Sequence, residues 1–186
     1  EHHRRHFMTR RFERTETGGR LHMQSLGAMA HLDFNQAGAH AYERAFAIMR
    51  RLSLPMADME EQFRRMVFNL VARNQDDHVK NIAYLMDQAG IWSLAPAFDV
   101  TWAYNPSGDW TARHQMTVNG KRDDFLFADL EAVAAAAALR RGRAGAILTE
   151  VLGAVSRWPA LAAEAGVQES WIEPIGRSHR LDWRRG

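Results

Sequence analysis

"NQDDHVKNIAYLMDQAGIWSLAPAFDV", residues 74–100, sets a crowded polar octet in front of two short apolar runs, and its flanks decide the architecture. Upstream, Met59, Phe63, Met66, Val67, Leu70 and Val71 recur at i, i+4, i+7, i+8, i+11 and i+12, the stripe of an amphipathic helix. Asp58, with Glu61 three residues later, reads as its N-cap and capping box, because side-chain oxygens there satisfy the free backbone donors of a first turn. Downstream, Ile82, Tyr84 and Met86 alternate with Ala83 and Leu85 as a strand does. "DQAG" (87–90) then turns the chain, and "IWSLAPAF" (91–98) returns as a second strand that stops near Pro96. The unit is helix, polar loop, β-hairpin, then Phe98 and Asp99.

The chain has 186 residues, 46% of them hydrophobic, enough for one globular domain with a real core. No apolar run approaches the roughly 20 residues that span a bilayer, and the opening "EHHRRHFMTRRF" lacks the apolar stretch of a signal peptide. A cytoplasmic location without a membrane partner is the expectation. The absence of cysteine excludes disulfides, thiolate metal sites and cysteine nucleophiles, and fits a reducing compartment. The formal net charge is +2, with Lys80 and Lys121 the only lysines. Acids nearly balance bases, so the strongly basic face of a dedicated nucleic-acid binder is not expected.

Elsewhere the patterns are plainer. The run from Phe7 to Thr17 is strand-like and ends in a turn at Gly18-Gly19; residues 21–31 suggest a short helix, and "LDFNQAGAH" (32–40) a loop. Tyr42, Phe46 and Met49 share one face of a helix that ends before Pro55. Residues 101–127 are long and weakly patterned, a stretch usually functional or mobile in compact domains. From Asp129 the chain is helical, broken at 142–145 and at Pro159, with a last helix around Ser170–His179. The expected class is mainly α with a small β-hairpin.

Phosphoryl transfer asks for an acid to take or orient the proton of the nucleophile, and for oxygen ligands to a magnesium ion that bridges phosphates. In the protein-kinase plan an aspartate is followed five residues later by an asparagine metal ligand, and a second metal-binding aspartate follows a hairpin. Asp76 and Asn81 have that spacing, and Asp99 stands eighteen residues beyond Asn81, past the second strand. Read alone, "NQDDHVKN" is most simply a solvated turn; Asp99 in the right place is what gives it meaning.

On these residues the sequence resembles the HipA-type serine/threonine kinases, the toxins of bacterial HipBA toxin–antitoxin modules. "MTRRFER" (8–14) matches as a hinge-like strand, "NQDDHVKN" (74–81) as the catalytic loop, "LAPAFDV" (94–100) as the metal-binding segment and "HQMTVNGKRDDF" (114–125) beyond it. The resemblance covers about residues 7–180. It implies a kinase-like C-lobe over residues 1–186 with the N-lobe absent: a hinge-like strand over 1–17, helices, catalytic loop and metal segment over 18–100, and a long loop with C-terminal helices over 101–186. By the same inheritance Asp76 is the catalytic base, Asn81 and Asp99 hold Mg2+, and His78 and Lys80 face the ATP phosphates. Phe12 lines the adenine pocket, with Phe98 beside the metal aspartate also counted among the nucleotide-binding residues. Asp77 is expected to brace the loop.

A kinase also needs a phosphate-covering loop and an N-lobe lysine, and neither Lys80 nor Lys121 is placed to be that lysine. The expectation is a C-terminal piece of a longer protein, binding ATP poorly by itself. The implied partners are a HipB-like helix-turn-helix antitoxin, through which alone DNA is touched, and a protein substrate such as an aminoacyl-tRNA synthetase whose phosphorylation inhibits growth. Two other readings stand beside it: a module that docks the antitoxin without catalysis, and a metal-dependent phosphohydrolase using Asp76, Asp77, His78 and Asp99. His2, His3 and His6 read as exposed terminal histidines, the tryptophans as core or partner-facing, and Lys121, Asp123 and Asp124 as a charged turn with a substrate-side role in the family.

Overall fold

The computed structural model describes residues 8–183, so His2, His3 and His6 lie outside the described residues. Helix α3 (Met56–Val71) is the axis of the core. Met59, Phe63, Met66, Val67, Leu70 and Val71 are all at most 2% exposed, as the sequence stripe requires. Each such side chain contributes about 1.5–3 kcal/mol through burial. Around it pack α2 (Tyr42–Arg51), β4 (Trp92–Leu94) and α5 (Arg143–Val155), while α4 (Phe127–Ala136) closes against α2 and α5. Helices α6 (Trp158–Glu164) and α7 (Glu169–Ser178) form a pair at the end of the chain. Tyr42, Phe46 and Met49 on α2 are fully buried.

Three expectations need correction. The N-cap of α3 is Pro55, not Asp58, which sits one turn inside the helix. Proline's fixed φ suits this entry, and the Asp58 carboxylate is free to accept from the Leu94 amide at 3.0 Å, tying α3 to the hairpin. Residues 21–31 are not one helix: they split into β1 (His22–Ser25) and the single turn α1 (Leu26–Ala30), with Ser25 capping α1 through Ala28 N. Strand β1 pairs antiparallel with β3 (Ala83–Met86), so the expected hairpin β3–β4 is a three-stranded sheet, β1-β3-β4. The pairing hydrogen bonds of a third strand leave no apolar signature in the polar run "HMQS", which is why it reads as something else. Finally, residues 8–17 carry no strand; they hold one bridge, Arg14 with Arg20, closed by Gly18 in the left-handed region, φ 84°.

The long stretch 101–127 contains the short β5 (Met116–Thr117), which pairs in parallel with β2 (His40–Ala41). Among the described residues no helix is long and apolar enough to cross a membrane.

Candidate active site

Arg73, at φ 61°, ends α3 by turning the chain, and the loop 74–82 begins there. Two neighbouring segments clamp its backbone, and a side chain of the loop adds a third clamp. Ala103 N donates to Arg73 O at 3.0 Å and Gln75 N to Ala103 O at 3.1 Å; Gly27 N donates to Val79 O at 3.0 Å and Leu26 N to Ile82 O at 2.7 Å. Gly27 is needed for this approach, because a Cβ there would stand 3.1 Å from the Val79 side chain.

The third clamp is Asp77, 2% exposed. Its carboxylate accepts from the Tyr42 hydroxyl at 2.8 Å and the Gln115 amide at 2.8 Å, and faces His114 Nδ1 at 2.9 Å. The other nitrogen of His114, Nε2, lies 3.0 Å from Arg180 Nη1. A guanidinium only donates, so in this hydrogen-bond pattern Nε2 accepts from Arg180 and Nδ1 donates to Asp77. Burial pushes the Asp77 carboxyl up, but His114, Tyr42 and Gln115 outweigh burial and hold it below the ordinary carboxylate value. Burial and the facing Asp77 carboxylate push the Tyr42 phenol well up, so it stays a donor. Asp77 is therefore the brace expected of it, and its partner His114, fully buried, is the residue that sequence reading missed.

Asp76, the neighbouring residue, points the other way. Its side chain is 47% exposed and has only His78 Nε2 nearby, at 3.8 Å. Its backbone oxygen accepts from Asn81 Nδ2 at 3.0 Å, and Asn81 Oδ1 has no partner among the described residues. The segment carrying Asp99 is a strap anchored at both ends of this loop. Ala95 N bonds Ala83 O at 3.0 Å on one side, and Ala103 pairs with the loop entry on the other, so Asp99 spans the gap between the two anchors. Asp99 is exposed, takes φ 54°, a left-handed conformation that aspartate tolerates better than most residues, and its carboxylate makes no hydrogen bond or ion pair among the described residues. Unpaired oxygens from an amide and a carboxylate are the hard donors magnesium takes, so the residues present fit that ion. Among the described residues no three His, Asp or Glu side chains gather as a metal-holding group, which leaves a two-metal phosphohydrolase without its donor set there.

The remaining candidates fall into two groups. Phe12 and Phe98 are brought together, ring centroids 5.8 Å apart, and pack with Leu21 on Ala83, Leu85 and Ala95. His78 and Lys80 both meet the ring of Phe34, a residue the sequence did not single out. The charged turn is used within the fold: Lys121 Nζ reaches Asp129 at 2.7 Å, and Asp123 pairs with Arg180.

The family model for the HipA-like C-terminal domain matches residues 1–158. The chain belongs to that family. A relative from Sinorhizobium fredii, named "Putative kinase Y4mE", is 32% identical over 78 residues, 41% of this chain and 18% of the relative. Among solved structures, HipA of Shewanella oneidensis, in a complex with HipB and operator DNA, superposes with a TM-score of 0.72 at 19% identity, over 90% of this chain and 45% of that one. At that identity the match speaks for a HipA fold, and the chain spans less than half the length of either protein.

Proposed function

We propose that this HipA-like domain is the catalytic lobe of an ATP- and magnesium-dependent protein serine/threonine kinase. The observation that carries the reading is a contrast: the loop's backbone is clamped, while Asp76 meets only His78, at 3.8 Å, and Asn81 Oδ1 and the Asp99 carboxylate have no polar partner among the described residues. When bound, magnesium and ATP supply the transferable phosphoryl group and the charge that screens it. Asn81 and Asp99 would hold the ion. Asp76 accepts the proton of a serine or threonine hydroxyl as its oxygen bonds to the γ-phosphorus and the bond to the ADP oxygen breaks. His78 and Lys80 face the phosphates, and Phe12 with Phe98 offers an apolar surface to the adenine.

The whole protein includes an N-lobe in this reading, in keeping with a HipA chain more than twice as long as the part matched here. A HipB-like helix-turn-helix antitoxin is the proposed partner, with DNA reached through it, because the matched HipA was solved with HipB and operator DNA. The proposed outcome is growth inhibition through a cytoplasmic protein target, an aminoacyl-tRNA synthetase being the family's example. The test incubates the whole protein with labelled ATP and magnesium and looks for phosphoserine. Label that disappears in Asp76→Ala supports the assignment; equal labelling by that variant overturns it.

A further inference from the structure

The loop 32–39 is built, not loose. Asp33 Oδ1 accepts from the Asn35 amide and from Asn35 Nδ2, both at 3.0 Å, and Oδ2 accepts from Gln36 Nε2 at 3.2 Å. These donors hold the Asp33 carboxyl below its ordinary value. Asp33 O also meets His40 Nε2 at 2.8 Å. Gly38 N donates to Gln115 O at 2.8 Å, so the loop hangs on the same residue whose amide binds Asp77. This scaffold gives Phe34 a fixed backbone beside the catalytic loop.

Phe34 is 40% exposed, so burial alone does not account for it. Its ring carries Lys80 Nζ at 3.2 Å from the centroid, and the His78 ring stands edge-on at 6.1 Å and 63°. Lys80 makes no ion pair or hydrogen bond among the described residues. An aromatic face attracts an ammonium through its quadrupole without cancelling the charge, whereas a carboxylate holds and neutralises it together. Lys80 is thus localised with its full charge available.

We propose that Phe34 is a positioning residue: its ring holds the Lys80 ammonium over the catalytic loop, unneutralised, for the phosphates of the nucleotide. This rests on the phosphotransfer reading above and adds to it a residue from a different segment. The role assigned to Phe34 is to act through Lys80.

Two readouts test it in the whole protein with lysines carbon-13 labelled and the Lys80 signal identified through Lys80→Arg. In the free protein the Lys80 εCH2 protons lie upfield through the ring current and return to ordinary positions in Phe34→Leu. In binding, Phe34→Leu weakens magnesium-ATP by about two- to fivefold while adenosine affinity stays the same, and Phe34→Trp restores ATP affinity. Magnesium-ATP affinity unchanged in Phe34→Leu, or Lys80 protons at ordinary positions in the wild type, overturns the proposal alone. A wild-type protein that does not bind magnesium-ATP overturns the phosphotransfer reading and this inference with it.

Discussion

Asp76 and Asp77 are the same residue type, consecutive in the chain, and they live in opposite environments. Asp77 is 2% exposed and takes three hydrogen bonds from two segments: from Tyr42 on α2, and from His114 and Gln115 just before β5. Asp76 is about half exposed and takes none. One carboxylate is thus spent on rigidity while its neighbour stays open to solvent. The same division runs through the rest of the site. Behind the loop, Arg180 donates to Leu70 O and Gln75 Oε1 and meets His114. In front, Asn81 Oδ1, Asp99 and Lys80 have no polar partner among the described residues.

The sharpest way to break the comparison is to delete each carboxylate in turn. Asp77→Ala strands the Tyr42 hydroxyl, His114 Nδ1 and the Gln115 amide in the interior, and a loss of about 3–5 kcal/mol of unfolding free energy is expected. Asp76→Ala removes a solvated group and is expected to leave chemical denaturation unchanged within about 0.5 kcal/mol. Urea titration of both variants decides it. A stable Asp77→Ala protein would mean that the loop is held by its backbone clamps alone.

Acid sharpens the contrast with a smaller effect. Asp77, Asp123 and Asp129 all have carboxyls held below their ordinary value of 3.8; burial opposes this in each, and hydrogen bonds and nearby cations prevail. A folded-state value below the unfolded one means stability that is complete above about pH 4 and lost as pH falls through the folded values. Burial and nearby Arg73 depress the His179 imidazole, so it is held neutral and also loses stability on acidification, but from its ordinary value of 6.5 downward. Comparing wild type with Asp77→Asn cancels the His179 share. The variant is expected to start lower at neutral pH and to fall less steeply below pH 4 in denaturation curves taken across that range.

What was legible in the sequence was whatever repeats locally. The α3 stripe, the alternation in β3 and the turn at 87–90 are short-range patterns, and they located the helix and the hairpin, while the spacing of Asp76, Asn81 and Asp99 marked the residues proposed for the front of the site. The back of the site depends on pairs far apart in sequence: Asp77 with Tyr42 and His114, and Arg180 with Gln75. Nothing near His114 marks it as a partner of a residue 37 positions earlier. Phe34 looked like one aromatic in a polar loop, since its meaning lies in Lys80. Asp58 was misread for a related reason. The cap pattern Asp-x-x-Glu is local, and the bond to Leu94 that uses the carboxylate is not.

Asp58 offers the mildest test and probes the front alone. Its carboxylate accepts from the Leu94 amide, holding β4 to the first turn of α3, and β4 leads into the strap that bears Asp99. Asp58→Ala removes one partly buried hydrogen bond to a charged acceptor and one negative charge from a helix N-terminus, together about 1–2 kcal/mol. Because the hairpin's register is kept by its pairing with β3, the loss is expected to stay local: faster amide exchange at Leu94 and along the strap, unchanged exchange at Gln75 and Asn81. If Gln75 and Asn81 also exchange faster, front and back of the loop are one cooperative unit. Unchanged rates there mean that the segment carrying Asp99 moves separately from the clamped loop, so Asp99, the proposed metal ligand, shifts on its own while Asp76 stays fixed.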